Sequence, residues 1–147
     1  MKILMVTAVD FLVHTGSSLI ASILRKEGHS VQSFFLIKSE IYFDGKDDVS
    51  LLGDILKDTD LVMMSAYSPY LLRLIRVSEF VRSTYPGMKI IWGGPHCVSA
   101  PELSLKYADG VCFAEGEHVM ANLVRQLEKG VEIPESEVSK FLQSKSL

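Results

Sequence analysis

The sequence predicts a single doubly wound α/β domain, a five-stranded parallel sheet with helices on both faces. Three observations carry this prediction. Short continuous apolar runs alternate with amphipathic stretches along nearly the whole chain. Strands that alternate with helices imply a parallel sheet with right-handed crossovers. The chain has 147 residues, 48% hydrophobic and 22% charged, enough for one domain with its own core.

The elements follow in order. Lys2 to Val9 is a continuous apolar run ended by Asp10, the pattern of a strand buried on both faces. Thr15 to Glu27 carries Leu19, Ile20, Ile23 and Leu24 at helical spacing, with Thr15 or Ser17 as cap and Gly28 at the stop. His29 to Ile37 is the second strand, and Asp44-Gly45 marks a turn. Val49 to Leu56 is a short helix, and Leu61 to Ser65 a third buried strand. Tyr70 to Tyr85 is the longest helix; it turns Leu71, Leu74, Ile75, Val77, Phe80 and Val81 inward and three arginines outward, and Pro86-Gly87 ends it. Met88 to Trp92 is the fourth strand, followed by a Gly93-Gly94-Pro95-His96 loop and a helical turn around Pro101 to Tyr107. Gly110 to Ala114 is the fifth strand, and Glu117 to Lys129 the last long helix. Five strands in this sequence suit the flavodoxin-like or Rossmann-like order 2-1-3-4-5. The domain is expected to span residues 1–130. Residues 131–147 are more polar and form either a tail or a short docking helix with Val138, Phe141 and Leu142 as its stripe.

Composition excludes several function classes. A net charge of −3 and a pI near 5.8 provide no field for a polyanion, so no nucleic-acid partner is expected. No apolar run approaches the roughly 20 residues of a membrane span, and the first residues are too briefly apolar for a signal peptide. Two cysteines, Cys97 and Cys112, build neither a disulfide framework nor a four-thiolate site, which suits a reducing, cytoplasmic compartment.

In an open parallel sheet, ligands bind beyond the carboxyl ends of the strands. Four segments should gather there: Asp10 to Gly16, Ser65-Ala66-Tyr67-Ser68-Pro69, Gly93-Gly94-Pro95-His96 and Glu115-Gly116-Glu117. The double glycine lets the backbone turn sharply and approach a flat ligand, or simply serves a turn that needs positive φ. Ser65 and Ser68 either offer hydroxyls to a ligand or cap the long third helix. Each of His14 and His96 could serve a metal or a proton transfer, but neither has a second ligand at metal spacing, and a solvent-facing histidine is the expectation for both. Glu117 complements a helix dipole. A phosphate-accepting receiver domain is excluded, because its acidic pair, aspartate and lysine positions hold Asp10 alone, Ser65 and Glu115. The run His14-Thr15-Gly16-Ser17-Ser18 fits loosely a flavin phosphate loop and equally an ordinary capped helix start.

The run Ile90 to His96, then Ala100-Pro101-Glu102, then Tyr107 to Glu117, resembles the cobalamin-binding domain at the front of many radical S-adenosylmethionine enzymes. Gly16 to Val31 is similar to that family's first helix and second strand, and the resemblance covers roughly residues 1 to 130. It implies a cobalamin held against the strand ends, its nucleotide tail entering between strands. By position it implies Ser65, Ala66 and Tyr67 after the third strand, Gly93, Gly94, Pro95 and His96 after the fourth, and Glu115 and Gly116 after the fifth. Asp10, His14 and Gly16 would line the corrin from the first loop.

Two departures matter. Many corrinoid proteins carry Asp-x-His-x-x-Gly, whose histidine coordinates cobalt from below. His14 is the candidate for that lower cobalt ligand, although three residues separate Asp10 from His14 and Gly16 follows His14 by two, which departs from the motif's spacing. The radical enzymes also need Cys-x-x-x-Cys-x-x-Cys for an iron–sulfur cluster, which this sequence does not contain. The expectation is therefore a cobalamin-binding module, an excised domain or a stand-alone carrier. Methyl transfer or radical chemistry would occur in another domain or subunit. The alternatives are a flavin or nucleotide domain of the same fold, and a protein–protein adaptor that has lost the ligand.

Overall fold

The computed structural model describes residues 1–8, 15–36, 46–112 and 116–130. The sheet is formed by β1 (Lys2–Ala8), β2 (Ser30–Leu36), β3 (Leu61–Ser65), β4 (Lys89–Gly93) and β5 (Gly110–Val111), all parallel, in the order β2-β1-β3-β4-β5. The predicted order is the one observed. Among the described residues the helices are α1 (Thr15–Lys26), α2 (Lys46–Leu56), α3 (Leu71–Thr84), α4 (Pro95–Ser99), α5 (Pro101–Ser104) and α6 (Gly116–Glu128), with a 3₁₀ turn at Ser68–Tyr70. None of the helices among the described residues is long and apolar enough to cross a membrane.

Alternate residues of the central strands feed two cores, as the period of two requires. Leu4, Val6, Val62, Met64, Ile90 and Trp92 face α2, α3 and the α4–α5 segment. Ile3, Met5, Leu61, Met63 and Ile91 face α1 and α6. This double burial is why the strands read as unbroken apolar runs. The single tryptophan closes the first core: its Nε1 donates to Ser78 Oγ at 3.1 Å and its ring stacks on Tyr107, 5.8 Å between centroids.

The amino ends of two strands are pinned by aspartates. Lys2 N donates to Asp60 Oδ2 at 2.7 Å, and Asp60 N donates back to Lys2 O at 2.8 Å. Ile90 N and Asp109 repeat the arrangement, with Ile90 N to Asp109 Oδ2 at 2.8 Å and Asp109 N to Ile90 O at 2.8 Å. Each carboxylate takes the place of a carbonyl that the neighbouring strand is not yet there to supply, which fixes the register of β1 on β3 and of β4 on β5.

The structure corrects several expectations. Leu19 and Leu51 are exposed while Ala21 is buried, so the inward stripes of α1 and α2 are rotated from those read in the sequence. Arg73 is buried, unlike Arg76 and Arg82. It sits in the first turn of α3, where its guanidinium donates to the last carbonyl of β2, Leu36 O, at 3.3 Å and lies over the Tyr70 ring at 5.2 Å. The Pro95-His96 stretch is the first turn of α4 instead of a loop, as the fixed φ of proline at a first helical position favours. Residues 131–147 lie outside the described residues.

Both cysteines are buried and neither is in a disulfide. Burial pushes the Cys97 thiol from 9.0 up to about 11, a rise eased by its hydrogen bond with Ser104. The folded state therefore holds the thiol proton more tightly than the unfolded state. The stability gained from that difference is complete below pH 9 and is lost as pH rises through about 11. Urea unfolding across this window should show wild type losing on the order of 2 kcal/mol more than Cys97→Ala. Equal slopes for the two proteins would contradict this assignment.

Candidate functional site

The carboxyl ends of β3 and β4 are joined by their backbones. Beyond the last ladder pair, Ser65 with Gly93, Ala66 N donates to Gly93 O at 2.6 Å, and His96 N donates to Ala66 O at 3.0 Å. Gly94 makes this closure sterically feasible. Its φ is +97°, and a Cβ there would lie 2.9 Å from Ala66 O, 3.0 Å from Ala66 N and 3.2 Å from Ser65 Oγ. Gly93 differs: a Cβ there would make only ordinary contacts, 3.6 Å from Met120 Cε and 3.7 Å from Cys112 O. Of the two glycines, the second is thus required by the protein's own backbone.

Above this junction lies a polar pair that the sequence does not reveal. Ser68 Oγ and His96 Nδ1 are 2.9 Å apart. The imidazole is buried at 7% exposure, whereas a solvent-facing ring was expected. The reason is α4: its first turn places His96 beside the 3₁₀ turn that follows β3. Neither that turn nor α3 has a side-chain cap, so Ser68 serves the histidine and not the helix end. His96 Nε2 is also buried and has no hydrogen-bond partner among the described residues.

The other expected site residues fall as follows. Ser65 and Ala66 are buried at the end of β3, Tyr67 is half-buried, and Pro95 is exposed at the start of α4. Gly16 is exposed in the first turn of α1, while Ser17 beside it is buried, so only part of the proposed phosphate-type loop faces outward. Gly116 opens α6, where a Cβ would lie 3.0 Å from Ile20 Cδ1; it sets the approach of α6 to α1. Asp10, His14 and Glu115 lie outside the described residues. Ser65, Ala66, Gly93, Gly94 and His96 are therefore brought together at one edge, with Ser68 as an added member. No group of three or more His, Cys, Asp or Glu side chains among the described residues is placed to hold a metal ion.

The two glycines give a differential test. Gly94→Ala combines a left-handed φ with a backbone clash and should cost about 2–4 kcal/mol in urea unfolding. Gly93→Ala should cost under about 1 kcal/mol. A Gly94→Ala protein as stable as wild type would show that the junction can open without loss.

Comparison with known proteins places this edge in context. Residues 1–124 match the family model described as the B12 binding domain. No curated protein matches the chain. Among solved structures, the fold is similar to that described as a novel cobalamin-binding protein from Desulfitobacterium hafniense DCB-2, with a TM-score of 0.62 and 16% sequence identity. That match covers 89% of this chain and 59% of the other, so this chain spans less than two thirds of its structural neighbour. With a parallel sheet of order 2-1-3-4-5, a glycine-built junction at the carboxyl edge and a family match over most of its length, the chain belongs to the B12-binding domain family.

Proposed function

We propose that this chain binds cobalamin at the carboxyl edge of its sheet and serves as the corrin-holding module of a methyl-transfer or radical S-adenosylmethionine system. The observation that carries the reading is the family match over residues 1–124, which takes in every strand and the strand-end segments discussed above.

The residues present suit such a ligand. A corrin is broad and flat, so the surface that receives it must not project side chains. Ser65, Ala66, Gly93 and Gly94 form an edge of small residues whose backbones are already closed on one another. Bound cobalamin would supply the cobalt that carries a methyl group or takes part in electron transfer. The chain's own part is to present the strand ends, to keep water from one side of the ring and to fix its orientation. Ser65, Ala66, Tyr67, Gly93, Gly94, Pro95, His96 and Gly116 are proposed to contact it, together with Asp10, His14, Gly16 and Glu115 from the other strand-end segments. Residues 1–130 form the binding unit in this reading, and residues 131–147 follow it. The reacting partner, a catalytic domain or subunit, would approach the exposed face of the ring in the cytoplasm.

The test uses the whole chain. Mixed with hydroxocobalamin and passed through gel filtration, it should elute with a corrin spectrum, and emission from Trp92 should be quenched by energy transfer to the bound chromophore. A folded but colourless protein would overturn the proposal. Loaded with methylcobalamin in the dark, the chain alone should keep its methyl group in the presence of an added thiol. Rapid demethylation would show that it is itself a catalyst.

A further inference from the structure

A buried hydrogen-bonding atom with no partner is costly, and its removal from water is normally compensated. Among the described residues His96 Nε2 is such an atom, at the edge where a ligand of this family would sit. The ring is not deep in the core. Its hydrogen-bond partner Ser68 is exposed, as are the neighbours Pro69 and Pro95. The imidazole therefore lies beside exposed residues of the strand-end edge. Its orientation is already fixed, because Ser68 holds Nδ1 at 2.9 Å and Ala66 O holds the backbone amide of the same residue at 3.0 Å.

We propose that His96 is a ligand-contacting residue whose Nε2 hydrogen-bonds a peripheral carboxamide of the bound corrin, with Ser68 as the positioning residue that fixes the ring. The inference rests on the cobalamin reading above. The ligand chemistry follows from the hydroxyl on the other side of the ring. Ser68 can either donate to Nδ1 or accept from it, which leaves Nε2 as donor or acceptor respectively. A primary carboxamide presents a carbonyl and an NH₂ together, so it satisfies Nε2 in either case. An anionic group would satisfy only a donor and would bring uncompensated charge to a buried site. The contact is to the ring's edge, so it is independent of the nucleotide tail.

The experiment compares dicyanocobinamide, which keeps the carboxamides and lacks the nucleotide, with a corrin whose carboxamides are replaced by methyl esters. Wild type should bind the cobinamide and discriminate against the ester. His96→Leu should lose affinity for the cobinamide on the order of tenfold and lose most of the discrimination. His96→Gln, which keeps both a donor and an acceptor, should recover part of each. Unchanged affinity and discrimination in a folded His96→Leu protein would overturn the contact while leaving the cobalamin reading intact. Failure of wild type to bind either hydroxocobalamin or the cobinamide would overturn both. Should His96→Leu not fold, ¹⁵N-histidine spectra of wild type decide: saturation with dicyanocobinamide should shift the Nε2 resonance of His96, and an unmoved resonance would refute the proposal.

Discussion

The carboxyl edge of this sheet depends on how closely the backbone at Gly94 can approach that at Ala66. Only a residue without Cβ, at a φ of +97°, can lie there, since any side chain would begin 2.9 Å from the Ala66 carbonyl. The amide of His96 can then reach that same carbonyl. From that bond α4 starts, Cys97 enters the core, and the His96 ring comes to lie against Ser68. Moving Gly94 away would detach each of these in turn. The amino edge is fixed differently, by the carboxylates of Asp60 and Asp109 bonding the amides of Lys2 and Ile90 at the starts of neighbouring strands. One end of the sheet is thus held by charge-assisted bonds at the surface. At the other end, β3 and β4 are closed on one another by backbone bonds between small residues.

The architecture was legible because its cause is local and repetitive. Apolar runs such as Leu61 to Ser65 cannot be amphipathic helices at that length, and the helices between them carry regular stripes. The strand order followed from the alternation, and it is the observed order. Rotational details were less legible. Leu19 and Leu51 belong to the apolar pattern of their helices, yet Ala21 takes the buried place in α1, because packing against β-strands at close range favours the smaller residue. Arg73 resembled an outward helical cation until the fold brought the Leu36 carbonyl within its reach, from 37 residues away in sequence.

The candidate site was legible in its location and not in its internal wiring. The glycine pair marked the right turn, but only coordinates separate the glycine that is sterically required from the one that is not. His96 and Ser68 are 28 residues apart, and nothing in their sequence neighbourhoods indicates that they meet. The available signal was indirect: proline after two glycines could have been read as a helix start, which would have turned His96 inward.

These features also separate two tasks that a cofactor-binding domain must perform. Holding a large, flat ring calls for a surface of small residues that does not deform, and the backbone closure at Ala66, Gly93 and Gly94 is suited to that. Choosing the ring and setting its rotation calls for a few directed polar atoms. A corrin arrives with its cobalt already bound in the macrocycle, so a domain that receives it needs no cluster of metal-ligating side chains of its own. What it needs is a hydrogen-bonding group at the rim, oriented before the ligand arrives so that little freedom is lost on binding. Among the described residues, His96 meets that requirement: it is fixed through Nδ1 and through its amide while Nε2 has no partner there.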